Sequence, residues 1–166
     1  MGERAVFNTS IALQAFEASG RAVAPVLSSL KRVKWPARME PLEFNGRTIY
    51  LSGDHNPQGV ESLKALLHHF DYEKLWLVVG IGKNKDVDTM LSLFANLPRV
   101  ELFLTLTPFR PLKIEDYGKW LESARGADAE PIEALSRAIE LAGPTDLVVV
   151  SGSLYLVGDL RKKICG

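Results

Sequence analysis

Two almost unbroken apolar runs, KLWLVVG at 74–80 and DLVVVS at 146–151, most limit what this chain can become. A strand wetted on one face alternates polar and apolar residues. These runs do not alternate, so both of their faces must be covered, as in a parallel sheet between layers of helices. The segments around them carry a helical period. Residues 58–70 put Val60, Leu63, Leu66, Leu67 and Phe70 on one side, and residues 86–96 do the same with Val87, Met90, Leu91 and Phe94, with Asp86 as N-cap. Further strands are expected at 100–105 and, briefly, at an edge near 127–130. Further helices are expected at 114–124, 131–142 and 154–164. Strand and helix in alternation predict a Rossmann-like α/β fold, a mostly parallel sheet with helices on both faces. Asn45-Gly46 adds one antiparallel edge strand. It lies between the runs 39–44 and 47–51, and such a pair suits a type I′ turn, in which both central residues need positive φ.

The first thirty-four residues do not fit that alternation. Residues 7–19 have helical spacing and stop at Gly20, a second helical piece covers 23–30, and Trp35-Pro36 breaks the pattern. The expected division is a helical stub at 1–34, left from the end of a preceding domain, and an α/β domain at 35–166. Lysine plus arginine equal aspartate plus glutamate, so no net charge argues for nucleic acid or a membrane surface as partner. No signal-peptide pattern opens the chain, no apolar run has membrane-spanning length, and the lone Cys165 can form no internal disulfide. A cytoplasmic location is the expectation.

In a parallel sheet the strand C-terminal ends share one rim, and ligands bind there. That rim should carry Ser52-Gly53-Asp54-His55-Asn56, the loop GIGKNK at 80–85, residues 105–110, and Ser151-Gly152-Ser153. It can gather Asp54, His55, Lys85, Arg110 and Ser153 around a small ligand with a carboxylate or phosphate. Each has a plainer role open to it. His55 could cap a helix or bond a backbone carbonyl, Lys83 and Lys85 could be solvated loop residues, Arg110 could rest its stem on Phe109, and Ser153 could be only an N-cap. GIGKNK is not a P-loop, since GxxxxGK[ST] occurs nowhere in the chain. His55, His68 and His69 lack the spacing of a metal site, and no metal ligand set is expected here.

Four ordered segments carry a resemblance: WPARME at 35–40, SGDHNPQG at 52–59, KNKDVDTML at 83–91 and SGSLYLVGDLR at 151–161. Together they resemble the C-terminal domain of folylpolyglutamate synthase/dihydrofolate synthase, within the Mur ligase superfamily. That family's usual forms are WPGR, DGAHNP, a Lys-Asp pair opening a helix, and GS before an apolar helix. FNTSIALQAFEA near the start resembles the helix that ends the family's ATPase domain. The resemblance implies an ATP-dependent amide ligase in which ATP phosphorylates a pteroate or folate carboxylate and the glutamate amine attacks the acyl phosphate. It places Asn8 by the adenine, Arg38 at the nucleotide phosphates, and His55 and Ser153 at the glutamate. Lys85 and Asp86 match the Lys-Asp pair, and with Arg110 they are candidate rim residues. No catalytic residue is assigned within this chain.

Two departures stand out. Ser52 occupies the place of the motif Asp, with Asp54 at the place of the Ala, so both are candidates for the ATP contact. Ala37 replaces the glycine of WPGR. The implied partners are an N-terminal P-loop ATPase domain, L-glutamate, and dihydropteroate or folate. The implied cofactors are ATP and Mg²⁺, with metal ligands expected upstream. The chain alone is expected to be inactive. The alternative is a stand-alone, non-catalytic ligand-binding or interaction module of the same fold; a muramyl-peptide ligase domain fits the HNP and GSLYLVG forms less well.

Overall fold

The computed structural model describes residues 3–166. The chain divides into a first unit that ends at Trp35 and a second, Pro36–Gly166. The first contains α1 (Glu3–Ala18) and α2 (Ala24–Leu30). Gly20, at φ +80°, ends the first helical stretch, and Pro25 sits in the first turn of the second, where its missing N–H is no loss.

The second unit is built on a six-stranded sheet. Its strands are β1 (Arg38–Phe44), β2 (Arg47–Ser52), β3 (Leu75–Gly80), β4 (Val100–Thr105), β5 (Gly126–Asp128) and β6 (Leu147–Ser151). They lie in the order β1-β2-β6-β3-β4-β5, and only the β1–β2 pair is antiparallel. The expected fold class is therefore observed. Asn45 and Gly46 take φ +49° and +73°, as a two-residue turn with positive φ requires. The helices are α3 (Pro57–Leu67), α4 (Val87–Ala95), α5 (Trp120–Ser123), α6 (Pro131–Leu141) and α7 (Leu154–Cys165).

All six residues of β3 are buried, and alternate side chains feed two separate cores. Leu75, Leu77 and Val79 join Val60 and Leu63 of α3 with Leu91 and Phe94 of α4. Trp76 and Val78 join Ala134, Leu135 and Ala138 of α6 with Leu156 and Leu160 of α7. The unbroken apolar runs are thus explained by helices on both faces. One expectation is corrected. The single helix at 114–124 is a short 3₁₀ turn, Ile114–Tyr117, followed by the four-residue α5. Gly118 lies between them at φ +52°, a backbone state that no helix accommodates.

The end of the sheet opposite the rim is fastened by Arg47 and Asp146. Arg47 donates to the carbonyls of Ala142 (3.0 Å), Gly143 and Asp146 (2.6 Å), so β2 grips the loop that leads into β6. The Asp146 carboxylate accepts the N–H groups of Lys74 (3.0 Å), Gly143 (2.8 Å) and the Trp76 indole (2.9 Å). Burial pushes its carboxyl pKa up, but these bonds and the Lys74 charge outweigh that, and the net shift is down. Replacing Asp146 by Ala strands three donors, and we expect a loss of about 2–3 kcal/mol in urea unfolding. Since the folded pKa is lowered, the carboxylate's contribution is complete above its unfolded value and disappears as pH falls through the folded one. The difference between parent and Asp146→Ala should accordingly shrink in acid.

Candidate functional site

β6 lies between β2 and β3, but the connections leave in opposite directions: those from β2 and β3 lead to α3 and α4 in one core, that from β6 to α7 in the other. The carboxyl ends of these strands form the crevice where α/β sheets receive ligands. Three segments are tied together there. The Asp54 carbonyl accepts the Gly152 N–H (3.0 Å) and the Ser151 hydroxyl (3.3 Å), joining the turn after β2 to the turn after β6. The Ser153 and Thr107 hydroxyls bond each other at 3.0 Å, joining β6 to the loop after β4. Gly152 makes this closeness possible. It sits at φ +100°, and a Cβ there would lie 2.7 Å from the Gly80 carbonyl oxygen.

The turn after β2 is polar and largely enclosed. The Ser52 hydroxyl donates to Asp54 Oδ2 at 2.6 Å, and both residues are buried. Burial raises the Asp54 carboxyl pKa against the opposing pull of the Ser52 hydroxyl and the charges of Arg38 and His55. Arg38 Nη1 stands 3.8 Å from Asp54 Oδ1. Half-buried His55 turns Nδ1 to the Gly53 carbonyl at 2.9 Å. A carbonyl only accepts, so Nδ1 carries a proton, and whenever the ring is neutral Nε2 is the acceptor. Asn56 caps α3 by accepting the Gly59 N–H at 2.8 Å, so His55 is not the cap.

Ser153 caps α7, accepting the Tyr155 N–H at 3.2 Å, and the positive end of a twelve-residue helix points from it toward the rim. Lys83 and Arg110 lie on adjoining loops, since the Lys83 N–H donates to the Arg110 carbonyl at 3.0 Å. Arg110 itself lies over the Phe109 ring at 5.3 Å. Lys85 is exposed on the same loop as Lys83. Asp86 caps α4 through the Thr89 N–H and hydroxyl, at 3.0 and 2.7 Å, which also lower its pKa. Its carboxylate is therefore engaged in its own helix. Asn8 is exposed on α1, in the first unit.

The sequence reading placed Thr107 on this rim without its partner and missed Tyr117. Thr107 is fully enclosed and bonds Ser153, and Tyr117 donates to the Thr105 carbonyl (2.6 Å) while accepting the Ile81 N–H (3.1 Å). Burial pushes the Tyr117 hydroxyl to about 12, so it stays protonated and joins the rim ends of β3 and β4. The Thr105 hydroxyl is buried without a partner, an unmet polar group at the end of β4. Among the described residues no three His, Cys, Asp or Glu side chains converge as a metal site. No helix among them is long and apolar enough to cross a membrane.

Replacing Gly152 by Ala should cost about 2–3 kcal/mol, because the added methyl meets a backbone carbonyl and the backbone must hold positive φ. Chemical denaturation measures the loss, and separation of the Ser153 and Thr107 hydroxyl resonances should accompany it.

Comparison with known proteins agrees with this geometry. Residues 37–154 match the model of the family described as Mur ligase, glutamate ligase domain. The chain is 33% identical over 138 residues to a probable bifunctional folylpolyglutamate synthase/dihydropteroate synthase of Haloferax volcanii, covering 80% of this chain and 16% of that protein. It is 25% identical over 139 residues to the dihydrofolate synthase/folylpolyglutamate synthase of Bacillus subtilis, covering 82% of this chain and 32% of that one. A structure of Mycobacterium tuberculosis folylpolyglutamate synthase complexed with ADP and AMPPCP superimposes with a TM-score of 0.85 at 25% identity, over 98% of this chain and 40% of that one. The chain thus spans less than half the length of each of these relatives. With the family match covering both motif turns and the loops between them, the chain belongs to the Mur ligase glutamate ligase domain family and is similar to the C-terminal domain of folylpolyglutamate synthases.

Proposed function

We propose that this chain serves as the C-terminal domain of an ATP-dependent ligase that adds glutamate to dihydropteroate or folate through an acyl phosphate. The observation that carries the reading is the convergence of the turns after β2 and β6 at one rim, fastened through the Asp54 carbonyl. In this reading the γ-phosphoryl group passes from ATP to the folate carboxylate, and ADP leaves. The glutamate amine, having lost its proton, attacks the acyl carbon, and phosphate departs with the C–O electron pair. The domain's part is to offer glutamate and to close over the nucleotide.

Two features suit glutamate. The Ser153 cap and the N-terminus of α7 favour a carboxylate, and Nε2 of His55 can accept a hydrogen bond from the amine. Arg38, with Ser52 and Asp54 beneath it, suits a nucleotide phosphate, because a guanidinium keeps its charge and forks onto two oxygens. Asn8 is assigned to the adenine. Lys85 and Arg110 add positive charge at the margin of the glutamate site. Residues 1–34 are assigned to the end of a preceding ATPase domain, which would bring the phosphate cradle and the ligands for Mg²⁺, an ion that would neutralise charge between phosphate oxygens. The setting is assigned to the cytoplasm, with neither nucleic acid nor membrane as partner.

Two measurements test this. An immunoblot of the source cells with an antibody to the chain should show a polypeptide far larger than 18.4 kDa. A band at that size would favour the stand-alone binding module. The pure chain, given ATP, Mg²⁺, glutamate and dihydropteroate, should form no product, and measurable ligation would disprove its dependence on an upstream domain.

In the intact ligase, Ser153→Ala should raise KM for glutamate about tenfold, the scale of one lost hydrogen bond to a charged group, with little change in KM for ATP. Equal effects on both substrates would remove Ser153 from the glutamate site.

A further inference from the structure

Arg38 is held between two residues in left-handed backbone, Ala37 at φ +60° and Met39 at φ +49°. Neither is glycine, so both positions carry strain. The strand register also slips here: Arg38 partners Ser52, whereas Glu40 partners Leu51, leaving Met39 as the extra residue. Such a bulge re-aims a side chain. The kink is clamped from two sides. Glu40 accepts the Ala37 N–H at 3.0 Å and binds Arg161 Nε at 2.9 Å, and the Ala37 carbonyl accepts the Gly53 N–H at 2.8 Å.

The side chain so aimed is 56% exposed, yet its ionic partner, the Asp54 carboxylate, is 6% exposed. At 3.8 Å the two charges attract without a hydrogen bond. A pair this loose and this exposed on one side adds little stability, while the buried carboxylate costs some. Strain and a buried charge are hard to explain as devices of stability. They are accounted for if the guanidinium must be held at the rim with most of its five N–H donors open.

We propose that Asp54, seated on the Ser52 hydroxyl, is the positioning residue for Arg38, keeping its guanidinium over the end of β2 for an anionic phosphoryl group. The proposal rests on the phosphate-contact reading of Arg38 given above. Ser52 fixes the carboxylate and the carboxylate fixes the guanidinium. Ser52 is also the cross-strand partner of Arg38. A carboxylate moved from position 54 to position 52 therefore stays within reach, and the role belongs to the charge more than to the position.

Arginine side-chain ¹⁵N NMR of this chain, with inorganic tripolyphosphate as probe, tests it. In the parent the Arg38 Nε–H resonance should be dispersed from those of solvated arginines, and it should shift on titration. Asp54→Ala, and Asp54→Asn, which keeps shape and loses charge, should move that resonance to the position of a solvated arginine. They should weaken tripolyphosphate binding about fivefold, the scale of one charge-assisted contact losing its set geometry. The double variant Ser52→Asp/Asp54→Ala should recover both. An unchanged Arg38 resonance in Asp54→Asn would overturn the proposal, and so would tighter tripolyphosphate binding in that variant, since Asp54 would then only repel the anion. Absence of binding by the parent would instead overturn the phosphate reading of Arg38, while the resonance itself would still decide whether Asp54 holds it.

Discussion

The rim depends on one close approach between two backbones. At the end of β6, Gly152 passes the carbonyl of Gly80 with space for a hydrogen and nothing larger. That approach brings the turn after β6 against the end of β3 and leaves its N–H pointing at the Asp54 carbonyl. The Ser153 hydroxyl then falls against Thr107, and α7 starts from the rim with its positive end toward it. Each of these contacts is backbone-to-backbone or short side chain, so the site's geometry is set by the sheet and not by flexible side chains.

Electrostatics at this rim work against solvation. Asp54 is buried where water would have stabilised its charge, and the protein substitutes a hydroxyl, a guanidinium and an imidazole. Tyr117 adds support by donating to the Thr105 carbonyl and accepting the Ile81 N–H, and the Thr107 hydroxyl bonds that of Ser153. The same rule operates at the opposite end of the sheet, where Asp146 and Arg47 satisfy donors and carbonyls beyond the last ladder bonds. The sheet is thus finished with polar side chains at both ends.

Much of the fold was legible because its signals are local. The unbroken run Leu75–Gly80 demands cover on both faces, Asn45-Gly46 demands a tight turn, and Asp86 before an amphipathic stretch announces a helix start. The rim's membership followed from parallel topology alone, which is why Asp54, His55, Ser153 and Arg110 could be placed on one edge. What the sequence hid is long-range. Nothing near Thr107 signals that it meets Ser153, and nothing near Arg47 signals carbonyls at 142–146. Gly118 is a local signal of the break within 114–124, a residue that interrupts helices and here takes positive φ. The choice between cap and carbonyl for His55 needed coordinates, because candidate partners lie close on both sides of it, the Gly53 carbonyl two residues before and the Gly59 N–H, which Asn56 takes, four residues after.

The place of β6 also governs how the chain can be made. It is the last strand in sequence but sits inside the sheet, with Tyr50 on one side against Val149 and Leu77 on the other. Until it emerges from the ribosome, β2 and β3 have no neighbour on their facing edges, and the apolar faces of both cores are incomplete. Contacts so distant in sequence are slow to form and leave strand edges open to other chains meanwhile. Cooperative closure of the sheet must wait for β6, so the five strands that precede it in sequence stay incompletely paired until residues 147–151 are in place.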